Sequence, residues 1–407
     1  MMEGKLPGIR KDLECFPVFH EGRQFVLFRD PLGLVPEGTS VPLSLYRFMS
    51  LLDGTKSLRD LQTDLMRQQG GVLVGSDEVM GLLARLDKSY ILDSPRFREA
   101  RDRIIEEFRS KPVRPCSHCG AAYPAEGPTL MQTLEEILNS GPSSEAIQGK
   151  VLALAAPHID LSVGRNGYGT AYRTLRGREY PRVVVLGVGH RMEDGMFAIT
   201  EKDFETPLGK TETDRILVQD LRHAGAEILA DSDIAHRSEH SIEFQLLFLQ
   251  YLLGAGAFKL VPILCGSLLA GLPSYSRQAY LDRAGPFLDR LRKAFSGPGG
   301  QTLFIAGVDL SHVGPKFGHD APAPALQKEA GEHDRALLEA FCMLDADRLW
   351  EESSRVQDRF NVCGFSVMAC FCEILPPCKG RLLHYETWNE EATRSSVSFG
   401  AVLFEAG

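Results

Sequence analysis

The sequence contains no uninterrupted apolar run near the roughly 20 residues that cross a bilayer. Its opening, Met-Met-Glu-Gly-Lys-Leu-Pro-Gly-Ile-Arg, lacks the apolar core of a secretory signal. Basic residues are not in excess: 45 Lys and Arg stand against 54 Asp and Glu, a net charge of −9. That balance argues against a general binder of nucleic acid or of an anionic membrane, both of which need cations to neutralise phosphate. Nine cysteines, an odd number scattered over a long chain, do not form the pattern of a disulfide framework. The glycine-rich turn Gly164-Arg165-Asn166-Gly167-Tyr168-Gly169 matches neither the dinucleotide fingerprint nor a P-loop, so no nucleotide cofactor is indicated. These absences leave a cytoplasmic enzyme or binding protein as the expectation.

At 407 residues, with 43% hydrophobic and 24% charged residues, the chain has the composition of a globular protein of two or three domains. Residues 1–96 read as a small α+β domain. Gln24–Phe28 is a short strand, helices begin near Leu43, Ser57 and Ser76, and Tyr90-Ile91-Leu92 reads as a return strand. Strand, three helices and terminal strand make a winged-helix pattern. No helix in it carries a basic stripe, so peptide or protein docking ranks above DNA binding. Residues 97–115 are densely charged, helical and then broken by prolines, and are taken as a linker.

Residues 116–407 alternate strands and helices, the pattern of an α/β domain with a central sheet flanked by helices. The domain opens on Cys116-Ser117-His118-Cys119. No second Cys-x-x-Cys completes a four-ligand zinc site, so this motif reads as thiols in a loop, with metal binding as the alternative. Thr200 to Asp214 reads as a loop, Ala226–Leu229 as a short strand, and Pro286 as the first turn of a helix. Three apolar strands carry polar groups at their carboxyl ends: Val151–Pro157 leads to His158, Arg182–Gly189 to His190, and Thr302–Val308 to Asp309 and His312. In open α/β sheets ligands bind outside those ends, which points to one shared site.

His158 and His190 could supply two imidazoles to a transition metal, with Cys363, Cys265, Asp160 and Asp309 as candidates for a third ligand. Cys363 precedes Gly364 at a helix start, where free N–H groups favour thiolate. Asp309 and His312 fit an acid/base pair in which the carboxylate orients the imidazole. Glu239 and His240 open a helix that is apolar almost all round, with Glu243 one turn on. Glu239 and His240 fit a shell that orients a ligand histidine.

Seven motifs stand in order along the chain: Ala156-Pro157-His158, Leu186-Gly187 with Gly189-His190, Glu239-His240-Ser241-Ile242-Glu243, Val261-Pro262-Ile263-Leu264, Asp309 with His312 and Gly314, Cys363-Gly364 and Ser395-Ser396-Val397-Ser398. Through them the chain, from about Val113 onward, resembles the Memo family, called in bacteria the B component of the AmmeMemoRadiSam system. The resemblance implies a fold similar to the class III extradiol dioxygenases, with His158, His190 and Cys363 as metal ligands and His312 as the acid/base. It also implies iron or copper, with zinc possible, and a radical S-adenosylmethionine enzyme and an AMMECR-type protein as partners. A metal-dependent oxidoreductase is the first expectation. A non-catalytic metalloprotein is the second, and a hydrolase built from Cys363, His312 and Asp309 the third. The chain departs from the family at Ile159-Asp160-Leu161, Gly189, Arg191 and Phe365-Ser366, and Asp160 is a candidate to restore a carboxylate to the site. The Leu52-Asp53-Gly54-Thr55 turn and the Leu86-Asp87-Lys88 stretch before Tyr90 resemble the PqqD-like fold, which implies a peptide-recognition module at the N-terminus.

Overall fold

The computed structural model describes residues 4–68, 74–141, 149–295 and 302–406. The chain forms two compact units, Met1–Ser110 with Glu391–Thr393, and Lys111–Glu390 with Arg394–Gly407.

In the first unit, β1 (Glu14–His20), β2 (Arg23–Arg29) and β3 (Ser40–Pro42) form an antiparallel sheet, followed by helices α1 (Leu43–Met49), α2 (Leu58–Gln68), α3 (Ser76–Lys88) and α4 (Pro95–Ser110). Val26, Phe28, Met49, Leu61, Leu83 and Leu86 make its core. Residues 90–92 do not form the expected return strand; Leu92 makes only an isolated bridge to Ile9. The backbone turns instead, because Tyr90 has a φ of 55° and its carbonyl accepts from Arg10, a buried guanidinium paired with Asp12 and Asp30. Phe97, Ala100 and Phe108 of α4 are buried, so the charged segment expected as a linker is a helix with an apolar face.

The second unit contains β4 (Val113–Arg114), α5 (Gly127–Leu138), β5 (Val151–Ala156), α6 (Arg165–Tyr172), β6 (Arg182–Val188), β7 (Phe197–Ile199), β8 (Asp203–Thr206), β9 (Gly209–Thr211), α7 (Arg215–Ala224) and α8 (His240–Leu253). It continues through β10 (Lys259–Cys265), α9 (Leu268–Gly271), α10 (Arg277–Ala294), β11 (Thr302–Gly307), β12 (Asp309–Val313), α11 (Gln327–Cys342), α12 (Ala346–Val356), α13 (Phe365–Ile374), β13 (Lys379–Glu390) and β14 (Ser395–Glu405). The central sheet runs β12-β14-β5-β11-β6-β10-β7, with β13 pairing β14. Strands β5, β11, β6 and β10 are mutually parallel. Their residues are apolar almost without interruption because both faces are covered. Val183 and Val185 face α5, α6 and α8, while Val184 and Leu186 face α7, α10 and α13.

Several local expectations are overturned. The glycine-rich segment at 164–169 is helical rather than a turn, and Gly169 lets α6 lie against the end of α5, since a Cβ there would collide with the Ile137 carbonyl. Residues 200–214 contain the β8–β9 hairpin, which pairs with β4 through Val113 and Arg114. Ala226–Leu229 contributes one bridge from Leu229 to Phe197, and β7 takes the edge position beside β10. Pro286 lies inside α10, because Ser276 caps that helix nearly three turns earlier by accepting from the Ala279 amide.

Candidate metal centre

β11 lies between β5 and β6, so the carboxyl ends of three adjacent parallel strands deliver His158, Asp309 and His190 to one edge of the sheet. α8 approaches that edge closely. Ser241 Oγ donates to the Val188 carbonyl at 3.0 Å, and Gln245 Nε2 to the Pro157 carbonyl at 2.8 Å. The approach requires glycine beneath the helix: a Cβ on Gly307 would lie 2.6 Å from the Ser241 carbonyl oxygen, and one on Gly187 would strike Ser241 Oγ. α13 brings the fourth group, with Cys363 immediately before its first turn and the Gly364 amide donating to the Asp309 carbonyl at 3.1 Å.

His158, His190 and Cys363 each direct one donor atom to a common point, and the three atoms lie within 4.8 Å of one another. Cys363 Sγ is 3.4 Å from His158 Nε2. Nδ1 of His158 lies 3.0 Å from the Gly307 carbonyl, which can only accept, so that nitrogen carries the proton and Nε2 keeps its lone pair for a metal. Nδ1 of His190 is fixed in the same way by the Glu239 carboxylate at 3.1 Å. Glu239 also caps α8 by accepting from the backbone amides of His240 and Ser241. Two neutral imidazoles with Nε2 outward and one sulfur suit a soft or borderline transition metal, so the residues present fit such an ion. The His158 side chain is 2% exposed, whereas that of His190 retains 31% of its surface, which leaves one side of the cluster open.

The electrostatics are set by burial and by the two carboxylates. Burial pushes His158 and His240 down, His240 strongly. Burial would lower His190 too, but the Glu239 carboxylate outweighs it and raises the imidazole. Burial would raise Glu239 in turn, and the two histidines instead hold it well below the carboxylate range. Burial, reinforced by Asp309, pushes the Cys363 thiol up, so the helix start alone does not give the thiolate that the sequence suggested. A bound cation reverses that balance and deprotonates a coordinating thiol.

The other site residues separate into those that join the cluster and those that do not. Asp309 Oδ1 accepts from the His158 amide at 3.0 Å, and Oδ2 lies 3.6 Å from His158 Nε2. It therefore buttresses His158, and the expected orientation of His312 by Asp309 is replaced: His312 Nδ1 bonds the Leu310 carbonyl at 2.9 Å. Burial pushes His312 down to about 4. His240 stacks on His190 with ring centroids 5.0 Å apart. Asp160 is exposed and accepts from the Ser162 amide and hydroxyl, so it does not complete the cluster. Cys265 is buried among core residues, and burial raises its thiol far above the ordinary range. Among the described residues no hydrogen bond joins Cys363 to His312, which removes the geometry of the hydrolase reading.

Sequence reasoning missed the support behind α8. Glu243 is fully buried and pairs with Arg114, itself 1% exposed, and it also accepts from Tyr123 Oη and from the amides of Ser117 and His118 at 3.0 Å each. Arg114 further donates to the carbonyls of His236 and Glu239. A buried glutamate on an otherwise apolar helix requires a cation, and that requirement was the available signal for Arg114.

The Memo-like protein family matches residues 114–403, which span every residue of this cluster. The chain belongs to the Memo-like family. A MEMO1 family protein of Aquifex aeolicus is 30% identical over 393 residues, covering 94% of this chain and 96% of its own length. A counterpart from Thermus thermophilus is 28% identical over 352 residues, covering 86% and 99%. A MEMO1 family protein of Archaeoglobus fulgidus is 26% identical over 288 residues and covers 97% of itself but 70% of this chain.

Proposed function

We propose that the Memo-like unit is a metalloprotein of the non-haem oxidoreductase type, in which His158, His190 and Cys363 hold iron or copper. The convergence of the three donor atoms within 4.8 Å, with both histidine Nδ1 atoms already engaged, carries this reading. A bound iron or copper would supply Lewis-acid and one-electron chemistry at this sheet edge. The chain's own residues prepare it. Gly307 and Glu239 fix the two imidazoles, Asp309 secures the segment that carries His158, and the open side at His190 admits a small ligand. His312, kept neutral near pH 7 by burial and oriented by the Leu310 carbonyl, is suited to accept a hydrogen bond from a bound substrate, while its value of about 4 makes it a weak base.

The dioxygenase-like character of the site, its work with a radical S-adenosylmethionine enzyme and an AMMECR-type protein, and a peptide-docking PqqD-like winged helix in the first unit belong to the same proposal. They rest on family resemblance, and the donor set departs from an iron dioxygenase by replacing a carboxylate with Cys363. Loading the protein with Fe(II) without oxygen and adding nitric oxide tests for an exchangeable position on the metal. A nitrosyl electron paramagnetic resonance signal is expected. Tight iron binding with no such signal would favour a non-catalytic metalloprotein that presents a surface to partners.

A further inference from the structure

The Cys116-Ser117-His118-Cys119 loop lies outside the metal cluster but touches its support. Cys116 and Cys119 are joined as a disulfide, with Cα atoms 5.8 Å apart, and both residues are partly exposed. The two residues between them are bound to the site. The amides of Ser117 and His118 both donate to Glu243, and Ser117 Oγ sits 2.8 Å from His118 Nδ1 and accepts from Arg114. The His118 ring packs edge-on against His240, centroids 5.8 Å apart, and His240 stacks on the ligand His190. We propose that Cys116 and Cys119 are a thiol–disulfide exchange site whose oxidation state fixes the placement of His118 against His240.

A bond that spans two intervening residues removes little freedom from the unfolded chain, so stapling the fold is a poor account of it. Backbone bonds close only the C-terminal side of the loop, from the amides of Ala121 and Ala122 to the His118 carbonyl and from the Gly120 amide to that of Tyr123. A zinc site is a poor account as well, because among the described residues neither sulfur belongs to a cluster of three metal-ligating groups. Cysteines with two residues between them are well placed for exchange, since one thiol resolves the adduct formed by the other. Among the described residues the other seven cysteines are free thiols, none joined to another. Cys265 and Cys370 are both buried, and Cys363 faces His158.

The reaction needs a low-molecular-weight disulfide of the glutathione type. One cysteine thiolate attacks a sulfur of that disulfide, forming a mixed disulfide and expelling one thiolate. The second cysteine then attacks the protein-side sulfur, closing the Cys116–Cys119 bond and expelling the other. Two protons pass from the cysteines to the leaving thiolates, and two electrons reduce the external disulfide. Reduction of the loop is the reverse. Its consequence is mechanical, because Ser117 and His118 lose the covalent tie that holds them over Glu243 and His240.

The test equilibrates the full chain in glutathione buffers of graded ratio, quenches in acid, alkylates and maps the peptides by mass. Cys116 and Cys119 are expected to lose both alkylatable thiols together, and Cys116→Ser is expected to leave Cys119 carrying a stable glutathione adduct. Acylation of histidines by diethylpyrocarbonate is expected to speed up several-fold at His118 on reduction and to change at His240. Both changes are expected to be absent when oxidised and reduced samples of the Cys116→Ser, Cys119→Ser double variant are compared. Persistent free thiols in excess oxidised glutathione, independent adducts on each cysteine in the native chain, or stoichiometric zinc on the reduced pair would overturn the exchange site. Unchanged histidine rates would overturn its link to His240. Thiol states are read whether or not metal is bound, so these outcomes are separate from the fate of the metal reading.

Discussion

Glu243 lies one helical turn beyond Glu239, and both carboxylates are buried at the start of α8, yet they are neutralised by different kinds of partner. Glu243 faces a permanent cation, Arg114, which dominates over the His118 imidazole 3.6 Å away, and its remaining acceptor capacity is filled by Tyr123 Oη and loop amides. Glu239 faces imidazoles, His190 and His240, whose charge depends on pH and on what they ligate. A fixed partner makes a structural anchor, and adjustable partners make a group that can respond to a metal. The same residue type in the same helix is thus assigned its role by what packs against it.

The comparison breaks first at the anchor. Glu243→Gln leaves the buried Arg114 guanidinium without its counter-charge and is expected to lower stability by about 3–5 kcal/mol in urea unfolding. A loss below about 1 kcal/mol would mean that Arg114 finds another partner. The pair also has a pH signature. Burial would raise Glu243, but Arg114 overrides it, so the folded group stays below its ordinary value of 4.5 and its contribution is present above that pH. Stability should therefore fall as pH drops below about 4.5, and this acid limb should be shallower in Glu243→Gln, as read from unfolding midpoints along a pH series.

Glu239→Gln should act more on the metal than on the fold. The Gln oxygen can still cap α8, but its NH2 would meet the His190 amide that now donates to the carboxylate, so stability should fall by about 1–3 kcal/mol, less than at Glu243. Without the carboxylate on Nδ1 of His190, metal affinity should drop about 10–100-fold in a competition titration with a chelator. Equal damage to stability by both glutamate variants would erase the distinction between them. The smallest effect is expected at Asp160. Its carboxylate serves Ser162 in an exposed turn, so Asp160→Asn should shift stability by about 0.5 kcal/mol or less and leave metal stoichiometry unchanged.

The strands that deliver the site were legible because parallel strands buried on both faces are written as apolar runs, and His158 and His190 stand at their ends. Asp309 was legible as a strand-end residue but not in its role, since nothing local reveals that its carboxylate turns to the His158 amide 151 positions away. β7 escaped because three apolar residues are too short to read as a strand, and the β8–β9 hairpin because its strands are short and polar; both are fixed by pairing with distant strands. Arg114 was hidden among charged residues of similar composition, and only the three-dimensional fold separates this buried guanidinium from its solvated neighbours. Asp160 shows the converse error. A carboxylate two residues from a ligand histidine reads as a ligand candidate, but the chain turns after Ile159 and presents it to solvent.

The most direct test of the central claim is an oxygen-free titration with Co(II), followed by the sulfur-to-metal charge-transfer absorption. One ion per chain is expected, with the band lost in Cys363→Ser and binding weakened in His190→Ala, while far-ultraviolet circular dichroism stays unchanged. Absence of uptake, or uptake with the same band and affinity in both variants, would contradict a metal centre built from His158, His190 and Cys363.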